Sequence, residues 1–173
     1  KKIAIAGQDG FIRIWNVNNG HLDEVLAGHR NSVYSIQFNA DNTKLLSAST
    51  DSTVRVWDLA RGKEILILSQ PNISLLARYS RDESRIFNVC SDSTVKIWDS
   101  RTGKLLYSLQ GHTSFVSAMD RSPDGRFLVT AGFDDSARIW SSITGKLLHS
   151  LEATNGASNK VSFSPDSRKV LIT

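Results

Sequence analysis

His29, Ser47 and Asp51 are the residue types of a nucleophilic hydrolase: an imidazole base, a hydroxyl nucleophile and an orienting carboxylate. His112, Thr130 and Asp134 supply the same three roles again. In both sets the histidine stands 22 residues before the aspartate and the hydroxyl stands four before it. Trp57 and Trp140 follow those aspartates by six. A catalytic centre is normally unique, whereas a constellation copied at fixed offsets belongs to an internal repeat. No catalytic residue is therefore assigned, and the chain is expected not to be an enzyme. His21 and His149 are isolated, and no Cys/His spacing suits zinc. No glycine-rich loop opens a helix to cradle a phosphate. Neither a metal nor a cofactor is implied.

The elements that must position these residues follow from the same ruler. Trp15, Trp57, Trp98 and Trp140 are 42, 41 and 42 residues apart, and Asp9, Asp51, Asp92 and Asp134 each precede one by six. A period of this size marks a repeat array. Within each unit, short runs alternate apolar and polar residues, the period of a half-buried strand. Lys44 to Ser49, Thr53 to Asp58 and Glu64 to Leu68 are three such runs, separated by Thr50-Asp51-Ser52 and by a turn containing Gly62. Counterparts recur at Arg85 to Cys90, Thr94 to Trp98 and Lys104 to Leu109, then at Arg126 to Ala131, Ala137 to Trp140 and Lys146 to Leu151. With Ser32 to Asn39, Ser74 to Ser80 and Val116 to Arg121, each unit holds four strands. The expected class is all-β, built from four-stranded antiparallel sheets.

Gly28-His29 and Gly111-His112, Trp57-Asp58 and Trp98-Asp99, and the turns Ser122-Pro123-Asp124-Gly125 and Ser164-Pro165-Asp166-Ser167 carry a resemblance. The chain resembles a WD40-repeat β-propeller over essentially its whole length. Trp15-Asn16 and Trp140-Ser141 are altered forms of the Trp-Asp element. The resemblance implies that His29, Ser47, Asp51 and Trp57 form a buried hydrogen-bond network, as do His112, Thr130, Asp134 and Trp140. The unit of Trp98 departs from it, with Gln70 at the histidine position and Asn88 at the hydroxyl position. The first unit has Ile5 at the hydroxyl position.

The resemblance also implies where partners meet such a scaffold: three and five residues after the Gly-His histidine, and one before the turn aspartate. Those positions are Ser32, Tyr34 and Thr50, then Ile73, Leu75 and Ser91, then Phe115, Ser117 and Phe133, with Gln8 in the first unit. Tyr34, Thr50, Ile73, Leu75, Phe115 and Phe133 are the candidate contact residues for a protein or peptide. Trp98-Asp99-Ser100-Arg101 resembles the WDxR box of propeller receptors in cullin-type ubiquitin ligases, with Trp98, Asp99 and Arg101 as its residues.

Composition excludes several other classes. The 173 residues carry a net charge of +4, with basic residues scattered singly, so direct nucleic-acid binding is not expected. No apolar run reaches the roughly 18 residues of a membrane span. Cys90 is the single cysteine, which fits a reducing compartment and an intracellular, cytoplasmic location. Blades are expected at about 28–69, 70–110 and 111–152, with incomplete ones at 1–27 and 153–173. A segment of a larger, seven-bladed ring is the expected architecture. The expected function is a non-catalytic interaction scaffold or sensor within a larger protein, with no small-molecule substrate. The alternatives are a regulatory propeller attached to a kinase, protease or ATPase, and a ubiquitin-ligase substrate receptor.

Overall fold

The computed structural model describes residues 1–152 and 160–173. All regular structure among them is strand: β1 Lys2–Ala6, β2 Ile12–Asn16, β3 Leu22–Leu26, β4 Val33–Phe38, β5 Lys44–Ser49, β6 Thr53–Asp58, β7 Lys63–Ser69, β8 Ser74–Tyr79, β9 Arg85–Cys90, β10 Val95–Asp99, β11 Leu105–Leu109, β12 Val116–Arg121, β13 Phe127–Gly132, β14 Ser136–Ser141, β15 Leu147–Glu152, β16 Val161–Phe163 and β17 Val170–Ile172. The expected junction between the last two blades, at 152–153, lies at the edge of the undescribed residues.

Two compact units divide the chain, Lys1–Arg78 and Tyr79–Thr173. The first contains the antiparallel sheets β1-β2-β3 and β4-β5-β6-β7. Ile12, Ile14 and Leu26 of one pack with Val33, Leu45 and Trp57 of the other in a single buried cluster. Burying such apolar side chains stabilises each by roughly 1.5–3 kcal/mol. The second unit contains β9-β10-β11, the complete sheet β12-β13-β14-β15 and the pair β16-β17. There Val129, Ala131 and Ala137 pack with Val161.

Two irregularities recur. The pairing of the third strand with the outer strand slips at each tryptophan, between Ile14/Trp15, Val56/Trp57, Ile97/Trp98 and Ile139/Trp140. Such a bulge inserts one extra residue opposite the large ring and sharpens the local twist. A second slip falls in the first strand of two four-stranded sheets, between Val33/Ser35 and between Val116/Ala118. Tyr34 is the extra residue in the first of these and is 66% exposed.

Candidate functional site

The two hydroxyl-histidine-aspartate sets are assembled by strand register. Ser47 pairs with Arg55 across β5 and β6, and Leu45 pairs with Trp57, which puts Ser47 diagonally beside the indole. Thr130, Arg138 and Trp140 repeat this on β13 and β14. The Trp57 indole Nε1–H donates to Ser47 Oγ at 2.8 Å. Ser47 Oγ lies 2.7 Å from His29 Nε2, and His29 Nδ1 lies 2.8 Å from Asp51 Oδ2. Asp51 also accepts from the Arg30 amide and from the Thr53 amide and hydroxyl. The second copy reads Trp140 Nε1–H to Thr130 Oγ1 at 2.9 Å, Thr130 to His112 Nε2 at 2.8 Å, and His112 Nδ1 to Asp134 at 2.9 Å.

One proton assignment satisfies the whole chain. The indole has only a hydrogen to give, and the carboxylate can only accept. The hydroxyl oxygen therefore accepts from the indole and donates to Nε2, and Nδ1–H donates to the aspartate. Arg138 Nη1 also approaches His112 Nδ1 at 2.6 Å, but both groups carry hydrogen there. The guanidinium donates instead to Asp134 and Ser136, at 2.7 and 2.6 Å.

Burial lowers the His29 pKa below the ordinary imidazole value, against the pull of Asp51. His112 shifts the same way for the same first cause. Burial alone raises the Asp51 pKa, but hydrogen bonds from Thr53, Arg30 and His29 outweigh it and hold it at about 2. At Asp134 burial is likewise outweighed, by Arg138, Ser136 and His112, and the pKa falls well below the usual carboxylate range. At neutral pH each site holds a neutral imidazole beside a carboxylate.

The polarity of the hydroxyl, imidazole and carboxylate is that of a nucleophilic triad, but access differs. Ser47 and Thr130 are both 0% exposed. A nucleophile must reach its electrophile at about 3–3.5 Å. Here each hydroxyl is fully buried between an indole N–H and an imidazole, which leaves no approach for an electrophile. Gly28 shows how tightly the pocket closes: a Cβ there would stand 2.7 Å from Arg55 Nη1 and 2.8 Å from the Trp57 ring.

Sequence reasoning missed a fifth member. Arg13, Arg55, Lys96 and Arg138 occupy one position, four after each turn aspartate and two before each tryptophan. Residues two apart share a strand face, so this recurring cation was visible beside the tryptophan. Arg13 pairs with Asp9 at 2.7 Å and Arg138 with Asp134 at 2.7 Å. Arg55 lies 3.7 Å from Asp51 and forms a close ion pair with Glu64.

The departures at Ile5 and Asn88 leave a mark. Among the described residues, the buried indole N–H groups of Trp15 and Trp98 have no hydrogen-bond partner. Those are the two units without Ser or Thr at the hydroxyl position. An orphaned buried donor costs about 1–3 kcal/mol. Asn88 stands opposite Lys96, in the register that Thr130 holds opposite Arg138. Asn88→Thr is therefore expected to raise stability by about 1 kcal/mol, roughly 2–4 °C in thermal melting. A melting temperature equal to or below the parent's would count against the orphan as a source of instability.

The candidate contact residues distribute unevenly. Phe115 immediately precedes β12 and Phe133 immediately follows β13, and the Phe133 amide donates to the Phe115 carbonyl at 2.9 Å. Their rings stack with centroids 5.9 Å apart and planes 25° apart, and Phe133 is 49% exposed. In the first unit Tyr34 and Ile73 are exposed, while Thr50 and Leu75 are half-buried. The Thr50 amide donates to the Ser32 carbonyl at 3.0 Å. In the Trp98-Asp99-Ser100-Arg101 stretch, Trp98 is buried and Arg101 exposed. Asp99 Oδ1 accepts from the Arg101 and Thr102 amides. Asp58 Oδ1 makes the same turn with Ala60 and Arg61, so the Asp99 geometry is a property of the repeat.

Four-stranded antiparallel sheets of one pattern, each with a tryptophan on its third strand, define a repeat protein of propeller-blade type. The model of the family described as "WD domain, G-beta repeat" matches residues 20–58, 63–99 and 103–141. The chain belongs to the WD40-repeat family. It is 42% identical over 134 residues to nuclear distribution protein PAC1 of Ajellomyces capsulatus, covering 75% of this chain and 29% of that protein. It is 39% identical over 69 residues to periodic tryptophan protein 2 of Arabidopsis thaliana, covering 40% of this chain and 8% of that protein. Mouse coronin-7 is 40% identical over 75 residues, covering 39% and 8%. The chain thus spans less than a third of the length of these curated relatives. WD40 repeats are, in general, protein-interaction modules.

Proposed function

We propose that the chain is a non-catalytic docking scaffold with two separate contact elements, the stacked Phe115–Phe133 pair of the second unit and the bulge-borne Tyr34 of the first. The aromatic pair carries the reading. Gln8, Thr50 and Ser91 occupy the position of Phe133 in the other units, so this aromatic is not dictated by the repeat. Nothing in the hydrogen-bond network uses it, and it leaves half of a large apolar ring exposed. Rigid aromatic side chains of this kind anchor protein interfaces. In the first unit the bulge leaves Tyr34 exposed. Two buried copies of the hydroxyl-histidine-aspartate set act as internal braces. The sheets act as blades of a larger propeller, inside the cell, where the buried thiol of Cys90 stays reduced.

The test is affinity capture from cell extract with the full-length protein and with its Tyr34→Ala, Phe133→Ala double variant. Proteins held by the parent are expected to fall by about tenfold or more in the variant, the usual consequence of removing interface anchors. The melting temperature is expected to stay unchanged. An identical set of captured proteins at identical yield would overturn the reading.

A further inference from the structure

We propose that a second docking site, for an acidic peptide segment, lies in the second unit at the opposite strand ends from Phe115 and Phe133. Three turns build it: Ser80 to Ser84 before β9, Ser122 to Arg126 between β12 and β13, and the residues after Ser141 that lead to β15. Together they wall a cleft of about 540 Å³, a size at which ligand groups bind. Its lining includes Arg81, Arg85, Arg126, Asp82, Asp124 and Ile143. β12 is six residues long, which separates this cleft from the aromatic pair by about 20 Å. The two sites are independent, and this inference does not rest on the aromatic one.

Charge decides what the cleft takes. The Arg126 cation is already matched, since its Nε donates to Asp124 Oδ2 at 2.7 Å. Asp124 also accepts from the Ser122 hydroxyl and the Arg126 amide. Asp82 is occupied by its own turn, accepting from the Ser80 hydroxyl and from the Ser84 amide and hydroxyl. Arg81 and Arg85 are different. Arg81 Nη1 donates to the Pro123 carbonyl at 2.5 Å, and Arg85 Nη1 donates to the Ser142 carbonyl. A carbonyl fixes a guanidinium in place without cancelling its charge. Each planar fork keeps further N–H donors for a carboxylate.

Arg81 is also a departure from the repeat. Its position is Ala40, Pro123 or Pro165 in the other units, residues that suit a turn and carry no charge. A cation placed where the fold asks for none, beside a second one held by a carbonyl, forms an anchored pair of positive groups. Ile143, 55% exposed on the rim, adds an apolar shoulder. The complementary ligand is an extended segment with glutamate or aspartate side chains next to an apolar residue.

The experiment is fluorescence anisotropy of a labelled peptide with four glutamates around one leucine, titrated with the full chain. A matched peptide with glutamines serves as the neutral control. The acidic peptide is expected to bind at least about tenfold more tightly than the neutral one, and to weaken as salt rises. Arg81→Glu is expected to lose about tenfold or more, Arg81→Gln less, and Phe133→Ala nothing. Arg81→Gln keeps a donor for the Pro123 carbonyl, so it decides the matter should the charge reversal perturb folding. Equal affinity of parent and both Arg81 variants would overturn the proposal, as would equal binding of the two peptides. Full displacement by millimolar inorganic phosphate would also overturn it, because the cleft would then be a simple anion site.

Discussion

Asp51→Ala is expected to cost about 3–5 kcal/mol, since several buried donors are orphaned together at about 1–3 kcal/mol each, partly relieved by relaxation. For a chain of this size that is on the order of 10 °C or more in melting temperature. The reason is the number of donors left behind. His29 Nδ1, the Arg30 amide, and the Thr53 amide and hydroxyl all lose their acceptor together. Arg55 loses a carboxylate at 3.7 Å. The donors belong to two segments, the loop before β4 and the start of β6, so both come loose from the turn that carries Asp51. Asp134→Ala is expected to match it, because His112, Thr113, Ser136 and Arg138 converge on that carboxylate in the same way. Asp92→Ala is the control. Asp92 is exposed and accepts from the Thr94 amide and hydroxyl, and its repeat carries Gln70 and Asn88 at the sequence positions of the histidine and hydroxyl. Its replacement is expected to cost about 1 kcal/mol or less, as for a lost turn cap. Chemical denaturation of the three variants separates these outcomes. Equal losses at 51, 92 and 134 would show that the aspartate acts only as a turn residue and that the histidine network adds nothing.

Much of this was legible before any coordinates, and the part that was not has identifiable causes. The Trp and Asp ruler placed the strands because a period-2 pattern and a turn are local properties. β5, β6, β9 and β12 have the bounds expected from alternation alone. The pairing of His29 with Ser47 and Asp51 was implied by the resemblance to WD40 repeats, and the equal offsets at His112 marked the set as a repeated one. Arg55 and Arg138 were overlooked although they recur, since a lone arginine in a strand reads as an exposed residue. Their spacing of two from each tryptophan already put them on its face, and the register shows them there. The bulges were not readable, because they arise from fitting a tryptophan against the outer strand and leave no mark in the alternation. The arginine cleft escaped for a related reason. Its walls come from turns about one repeat apart, and Arg81, Arg85 and Arg126 look like scattered surface charge until those turns meet.

The same network makes stability depend on pH in two steps, the second of the large expected effects. His29 and His112 have pKa values lowered by burial, so the folded state holds them neutral while the unfolded chain protonates them near 6.5. Below that value the unfolded state binds more protons, and stability falls as pH falls. The contribution is complete above about 6.5 and gone once pH drops through the lower folded values. Asp51 follows further down. With its pKa held at about 2 against an ordinary 3.8, its contribution is full above the ordinary value and lost on the way to 2. Asp134 shifts in the same direction and is lost in the same acid region. Thermal melting from pH 7 to pH 3 is therefore expected to fall by about 10 °C, with a first decline starting near 6.5. Replacing both histidines with glutamine, the residue that stands at position 70, tests the cause. Glutamine cannot titrate, so the double variant starts less stable at pH 7. It should show little change between pH 7 and 5 and keep the later, carboxylate-driven fall. A parent profile flat from 7 to 5, or a double variant with the parent's slope there, would remove the buried imidazoles from the account of how these blades hold together.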